Sequence, residues 1–161
     1  MGLGVEEMND FKKLIESAKD QYNKLIIING EKTKSHDPDL YKKYCLENNI
    51  QVFNLSAELA QLLLAIPQKD RDQEAADKLR DFFHNMDSDV IAFDNIDYLF
   101  SEEVGKINPI NTFNYLTRKK KVIILFIKAK RKNNLLIYSE EGNTDYMELD
   151  ISNNEGFVIG W

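Results

Sequence analysis

Residues 23 to 44 read NKLIIINGEKTKSHDPDLYKKY, and the layout of this stretch decides the fold class. The branched aliphatic run at 25–28, closed by an Asn-Gly turn pair, is typical of a strand that is covered on both faces. Asp37 suits a helix N-cap, and Pro38 is preorganised for the first helical position. The stretch therefore predicts a buried strand, then a polar loop, then a helix.

The rest of the chain repeats this alternation. Further strands are predicted at 50–55, 90–93 and 122–127, and helices at 9–22, 57–66, 70–86 and near 109–116. Ser56 is the expected cap of the helix at 57–66. Strands that alternate with helices pair in parallel through right-handed crossovers. The sequence therefore predicts an α/β fold, a three-layer sandwich around a central, mostly parallel sheet.

The chain of 161 residues is expected to form a single domain, with a core at about 20–130 and a C-terminal β-rich extension at 131–161. Strand candidates at 135–138 and 146–151 are expected to form a β-hairpin centred on 141–143. No apolar run approaches the roughly 20 residues of a membrane span, so we expect no membrane partner. The single cysteine, Cys45, fits a reducing compartment and indicates a cytoplasmic protein.

The loop after the first strand partly matches a phosphate-binding loop. The full motif, G-x-x-x-x-G-K-[ST], wraps phosphates in backbone N–H groups and adds the charge of a lysine. Gly30 can serve as the first glycine and Lys34-Ser35 as the end of the motif, with Lys32 and Thr33 between them. The loop is two residues shorter than the motif, and the second glycine is absent.

Asp37 leaves two interpretations of this loop open. If Asp37 caps the helix, its carboxylate occupies the N–H groups that an anion would use, and its charge repels phosphate. Lys32, Lys34 and His36 offset that charge only in part. The alternative to a phosphate site is an ordinary strand-to-helix turn with solvated lysines.

A second candidate site lies in DVIAFDNIDYLF, residues 89 to 100. The apolar strand delivers Asp94 to the carboxyl edge of the sheet, where an aspartate can hold Mg²⁺, with Ser35 as a second metal ligand. A hydrolytic enzyme usually follows this aspartate with an acid, but Asn95 can hold a water without accepting its proton. Asp97 is the candidate substitute. The alternative is an aspartate that only caps the next turn.

Between Arg118 and Lys132 the sequence holds eight basic residues and no acid, in two clusters that flank the predicted strand at 122–127. The second cluster shares the sheet edge of Asp94 and can meet nucleotide phosphate, nucleic acid or an acidic partner. Few aromatic residues lie between these cations, so a stacking platform for a single strand is not indicated. A solvated rim of lysines is the alternative. The cluster comprises Lys128, Lys130, Arg131 and Lys132.

The order of these pieces resembles the core of a P-loop NTPase of the AAA+/RecA type over about residues 20 to 130. The resemblance rests on the strand-Asn-Gly loop, on VIAFDNIDYLF and on KVIILFIKAK. It implies that Gly30, Lys34 and Ser35 bind the phosphates of ATP, that Asp94 holds Mg²⁺, and that Lys128 is a polar sensor.

The chain also resembles a narrower group of proteins. Its size and single-domain build are similar to those of the small P-loop proteins of bacterial BREX phage-defence systems. About 30 residues after the fourth strand cannot build the lid domain of AAA+ proteins, so that lid is expected to be lacking.

Three functions follow from the sequence. The first is a degenerate nucleotide-binding or pseudo-ATPase subunit of a larger protein assembly, such as a phage-defence complex. The second is a protein-interaction or DNA-associated module that kept the fold and lost the nucleotide. The third is an active ATPase that completes its site with an arginine from a neighbour, for which Arg118 and Arg131 are candidates. The candidate catalytic residues of the chain itself are Asp94, Asp97 and Lys128, and at most a weak activity is expected from them.

Overall fold

The computed structural model describes residues 4–118 and 121–160. The helices are α1 (Val5–Ala18), α2 (Pro38–Glu47), α3 (Leu55–Leu63), α4 (Arg71–His84) and α5 (Pro109–Leu116). The strands are β1 (Leu25–Asn29), β2 (Val52–Asn54), β3 (Val90–Asp94), β4 (Val122–Ile127), β5 (Lys130–Lys132), β6 (Leu135–Tyr138), β7 (Met147–Asp150) and β8 (Val158–Ile159). Short 3₁₀ turns follow β3 and precede α4 and β8.

The central sheet has the strand order β2-β3-β4-β1-β8, and all of its pairings are parallel. Alternate side chains of each strand face opposite layers. Ile26 and Ile28 of β1 pack with α1 and α2, whereas Leu25 and Ile27 pack with α3, α4 and α5. The predicted α/β class is therefore confirmed, with helices on both faces of a five-stranded sheet.

The cap of α2 is the predicted one, and the cap of α3 is not. The Asp37 carboxylate accepts a hydrogen bond from the N–H of Asp39 at the start of α2. The prediction that Ser56 caps the next helix is wrong, because α3 begins earlier and the side chain of Asn54 accepts from the N–H of Ala57. The Ser56 hydroxyl instead donates to the carbonyl oxygen of Asn95.

A second, antiparallel sheet has the order β5-β6-β7. The predicted pairing across residues 141–143 is confirmed, since Tyr138 pairs with Met147. Strand β5 was not predicted from its basic sequence; all three of its side chains are exposed at the edge of the sheet, a position that lysine commonly occupies. Strand β8 was also not predicted, and it returns from the C-terminal extension to the main sheet beside β1.

The described helices are not candidates for membrane insertion. Within residues 4–118 and 121–160, no helix combines the length and apolar character that crossing a bilayer requires.

Candidate functional site

A crevice opens at the carboxyl edge of the central sheet, above the end of β4. The loop after β1 leads to α2 on one face, while the turn after β3 leads to the opposite face. Ligands of open α/β sheets bind where neighbouring connections diverge in this way. The crevice has a volume of about 250 Å³, and its polar wall includes Lys42, Asp94, Asn95, Asp97 and Lys128.

Lys42 and Asp94 form an ion pair on the wall of this crevice. The Lys42 Nζ lies 2.7 Å from Asp94 Oδ2, and the other carboxylate oxygen accepts the N–H of Asn95. The ammonium also lies 5.2 Å from the centre of the Phe126 ring and 3.6 Å from an Asp39 oxygen. Lys42 was not predicted from the sequence as a site residue. It lies four residues after Pro38, and residues with this spacing share one face of a helix, so its place near the start of α2 could have indicated it.

The residues predicted to bind phosphate divide into two groups. Gly30 lines the crevice, whereas the exposed side chains of the following loop do not. The N–H of Thr33 donates to the carbonyl of His36, and this bond turns the loop back on itself. The loop side chains that stand outside the crevice are Lys32, Thr33, Lys34 and Ser35.

The first three residues of α2 leave no N–H group for an anion. Pro38 has no N–H, and the N–H of Asp39 donates to the Asp37 carboxylate at 3.0 Å. The N–H of Leu40 donates to the carbonyl of Asp37 at 3.2 Å. Asp37 therefore points at the helix, and the usual cradle for phosphate is closed by the chain's own carboxylate.

Asn29 fixes the relative positions of the loops that follow β1 and β4. Its buried side-chain amide donates to the carbonyl of Ala129 and accepts the N–H of the same residue, both at 3.0 Å. Its own carbonyl accepts a hydrogen bond from Nε2 of buried His36 at 2.9 Å. Asn29 thereby positions the neighbouring Lys128 at the mouth of the crevice. Sequence analysis treated Asn29 only as part of a turn.

The turn after β3 is held in place by polar contacts on both sides. Asn95 has a left-handed backbone, with φ at 49°, and its carbonyl accepts from both the N–H and the hydroxyl of Ser56. Asparagine and aspartate adopt this conformation more readily than most residues, so backbone geometry favours a short polar side chain here. On the other side, Asp97 accepts a hydrogen bond from the Tyr138 hydroxyl at 3.0 Å.

Tyr138 connects the antiparallel sheet to this turn. Its ring stacks on Phe100 with 3.7 Å between ring centres. Burial, followed by the hydrogen bond to Asp97, raises the pKa of the Tyr138 hydroxyl above its ordinary value. The hydroxyl therefore stays protonated at neutral pH and keeps donating to Asp97. This hydrogen bond occupies one carboxylate oxygen of Asp97, the residue predicted to replace the catalytic acid.

A larger cavity of about 700 Å³ adjoins the crevice, and the two share Gly30 and Lys128. Lys130 and Arg131 add two exposed cations to its lining, while Glu31 and Glu140 add two carboxylates. Lys132 is exposed and lies outside that lining. Three of the four basic residues predicted to meet an anion thus line this cavity, and Lys128 also lines the crevice that contains Asp94.

The chain does not offer a ready site for a magnesium ion. Mg²⁺ prefers one or two carboxylates together with substrate oxygens and water. Asp94 is paired with Lys42, and Ser35 lies outside the crevice. Across the described ranges, 4–118 and 121–160, no cluster of three or more His, Cys, Asp or Glu residues could hold a metal. Asp94, which is already paired with Lys42 and has no Ser35 beside it in the crevice, therefore does not fit a magnesium ion.

Comparison with known proteins supplies no family. No protein-family model, curated protein or solved structure matches this chain.

Proposed function

We propose that this chain is a P-loop-like nucleotide-binding subunit with little or no hydrolytic activity. The observation that carries the proposal is the Lys42–Asp94 ion pair in a crevice at the carboxyl edge of a parallel sheet. It supplies a positioned cation at the place where such sheets bind ligands. Lys42, and not Lys34, is the lysine that we assign to the phosphates.

The ion pair prepares Lys42 for an anion and does not block it. An ammonium group carries three N–H donors, and even with Asp94 at 2.7 Å and Asp39 at 3.6 Å at least one donor is left for a ligand. A phosphate oxygen can therefore accept from Lys42 while Asp94 continues to hold the side chain. In this arrangement the lysine charge takes the place of a metal between Asp94 and the phosphate.

The volume of the combined site suits a nucleotide. Binding sites for small molecules commonly measure about 300 to 1,000 Å³, and the crevice alone falls below that range. The adjoining cavity of about 700 Å³ provides the missing space, and Lys128, Lys130 and Arg131 give it basic lining groups. We assign the phosphates to the crevice and the rest of the nucleotide to this cavity.

Hydrolysis has little support from the residues beside Asp94. Asn95 cannot accept a proton from an attacking water. Asp97 already accepts a hydrogen bond from Tyr138, which lowers its availability as a base. We therefore propose binding as the function and a weak ATPase activity as its upper limit.

A nucleotide-binding subunit of this kind would act within a larger protein assembly. The resemblance to BREX proteins makes a bacterial phage-defence complex in the cytoplasm the assembly to test first. Nucleotide binding would then affect contacts with larger partner subunits, because the crevice adjoins an antiparallel sheet with an exposed edge strand.

Titration with ATP tests the proposal directly. At about 100 times its dissociation constant, ATP should raise the free energy of unfolding by roughly 2.7 kcal/mol. The titration is run by calorimetry and thermal unfolding, once with Mg²⁺ and once with EDTA, and binding should persist without the metal. Lys42→Met should abolish the stabilisation.

Lys43 provides the matched control for this titration. It lies on the same helix, but its side chain is exposed, and its ion pair is with Glu47, at 3.9 Å. Lys43→Met should therefore leave the response to ATP unchanged. If millimolar ATP stabilises neither the wild-type chain nor Lys43→Met, nucleotide binding is rejected.

A second function is favoured by the closed first turn of α2. Because the Asp37 carboxylate uses the N–H group of Asp39, the fold can also serve as a protein-interaction or DNA-associated module without a nucleotide. The same titration separates the two functions. An interaction module shows no response to ATP under any of the conditions.

A further inference from the structure

An exposed Tyr-Arg-Tyr cluster lies at the amino edge of the central sheet, at the end opposite the crevice. Tyr22 follows α1, Tyr115 lies near the end of α5, and Arg118 follows α5. The Arg118 Cζ is 4.7 Å from the centre of the Tyr22 ring and 5.7 Å from that of Tyr115. The two tyrosines are 69% and 64% exposed.

The guanidinium of Arg118 keeps its hydrogen-bond donors available. No ion pair to Arg118 is formed within the described part of the chain, 4–118 and 121–160. Its contacts with the two rings hold it between two aromatic side chains without using its N–H groups. The cluster therefore combines two exposed aromatic rings with a positioned cation.

Other cations at this edge have a structural role instead. Lys24 donates to the carbonyl of Gln21 just beyond α1, and Lys121 donates to the carbonyls of Phe83 and Met86 at the end of α4. These bonds satisfy helix C-terminal carbonyls whose negative charge would repel a phosphate. Arg118 is thus distinguished from its neighbours by having no such partner.

We infer that this cluster binds single-stranded nucleic acid, with bases stacked on Tyr22 and Tyr115 and a phosphate bound by Arg118. Proteins that bind single strands without sequence preference combine exposed aromatic rings with a basic path for the backbone. Here Tyr22 and Tyr115 supply the rings, and Arg118 supplies the cation for a phosphate. The cluster was not predicted from the sequence because Tyr22 meets Arg118 only in the fold, although Tyr115 lies close to Arg118 along the chain.

The site is separate from the proposed nucleotide site. Strand β4 joins the two sheet edges, and its six residues span about 20 Å. Duplex DNA keeps its bases stacked inside the helix, so it cannot place them on the two rings. The chemistry of the cluster therefore selects single strands over duplex.

Fluorescence anisotropy with labelled oligonucleotides tests the inference on the full chain. The probes are oligo-dT and oligo-rU of about 20 nucleotides, which compare DNA with RNA, and a duplex of equal length. The single strands should bind at least about tenfold more tightly than the duplex at low salt. Tyr22→Ala combined with Tyr115→Ala should weaken single-strand binding at least about tenfold.

Conservative variants separate stacking from folding. Tyr22→Phe combined with Tyr115→Phe keeps both rings and should stay within about twofold of the wild type. Arg118→Gln should weaken binding and reduce the slope of log K against log salt by about 0.7, the value for one phosphate of a single strand. Lys132→Gln, on the other sheet edge, should leave affinity unchanged.

Three results would overturn the inference. They are absence of single-strand binding at about 100 μM protein in low salt, equal or tighter binding of the duplex, and undiminished binding by the double alanine variant. Each is readable in folded protein, because all three side chains of the cluster are exposed and circular dichroism of each variant should match the wild type. None of these results depends on whether the crevice binds ATP.

Discussion

The ammonium of Lys42 contacts the carboxylate of Asp94 at 2.7 Å and so joins helix α2 to the end of strand β3. The two elements lie on either side of the crevice, and Lys42 is the only described side chain that bridges them through an ion pair there. The pair is partly exposed, at 27% for Lys42 and 36% for Asp94. Its strength should therefore lie between those of surface and buried pairs.

A double-mutant cycle measures this ion pair. Lys42→Met and Asp94→Asn should each lower the free energy of unfolding, and the two effects should be coupled by about 1 kcal/mol because each change removes the partner of the other. Urea denaturation of the four proteins gives the coupling energy. Lys43→Met is the control and should change stability by less than about 0.5 kcal/mol. Strictly additive effects would show that the pair contributes nothing.

Substitutions at Asp37 can separate the effect of its capping hydrogen bond from the effect of its negative charge. Asn and Asp are equally good N-caps, so Asp37→Asn should keep the free energy of unfolding within about 0.5 kcal/mol. It also removes a negative charge beside the proposed phosphate site, and the affinity for ATP should rise about two- to fivefold. Thermal unfolding and calorimetry measure the two effects.

Asp37→Ala is the contrasting variant. It removes the hydrogen bond to the N–H of Asp39 along with the charge, and it should cost about 1 kcal/mol of stability. An affinity for ATP that is the same in Asp37→Asn as in the wild type would argue against phosphate near this helix start.

The buried thiol of Cys45 gives stability a defined pH dependence. Burial raises its pKa from an ordinary 9.0 to about 12. Since the folded state holds the proton more tightly than the unfolded state, this contribution is complete below pH 9 and is lost as the pH rises towards 12. Between pH 8 and 10 the wild type should lose about 1.4 kcal/mol more than Cys45→Ala.

The comparison with Cys45→Ala removes most of the effect of other groups, because they are common to both proteins. Tyr44 is the exception, since its pKa is raised by burial and then by the charge of Cys45. The alanine variant loses packing, and that loss does not depend on pH. Denaturant unfolding at three pH values is sufficient, and two parallel stability curves would contradict a raised thiol pKa.

A substitution at Gly160, directly after β8, tests how closely this segment packs on β1. Its φ is +87°, and a Cβ atom there would lie 2.0 Å from the carbonyl oxygen of Asn29 and 3.0 Å from Nε2 of His36. Gly160→Ala should therefore lower the free energy of unfolding by about 2 to 4 kcal/mol.

Gly156 supplies the control for this clash. It has a similar φ of +85°, but no atom lies within 4 Å of a Cβ placed there. Gly156→Ala should cost only about 1 kcal/mol, from backbone strain alone. Equal losses at 156 and 160 in thermal unfolding would show that β8 can move away from β1 without cost.

Strands β1 and β4 of the central sheet were predictable because they are nearly continuous apolar runs. The strand at 25–28 and the strand at 122–127 are buried on both faces, and that burial is what an unbroken aliphatic run indicates. The start of α2 was predictable from local chemistry, since Asp37 and Pro38 determine an N-terminus without help from the rest of the fold.

The features that were missed depend on contacts between distant segments. Strand β8 has only two residues, and its pairing with β1 is set by the whole sheet. The charges of β5 indicate solvent exposure and say nothing of strand pairing. Lys42 became a candidate only because the fold places α2 against Asp94. The loop side chains that were predicted to bind phosphate lie outside the crevice, because the hydrogen bond from the N–H of Thr33 to the carbonyl of His36 turns the loop back on itself.

The pairing of Ile27 with Val158 and Ile28 with Ile159 has a consequence for vectorial synthesis on the ribosome. Strand β8 follows every other strand of the central sheet in the chain, so β1 leaves the exit tunnel well before the segment that covers its outer edge. Until then, a largely apolar strand has one row of backbone N–H and C=O groups without partners, which favours intermolecular pairing. A chain shortened before residue 157 would keep that edge unpaired and should aggregate more readily.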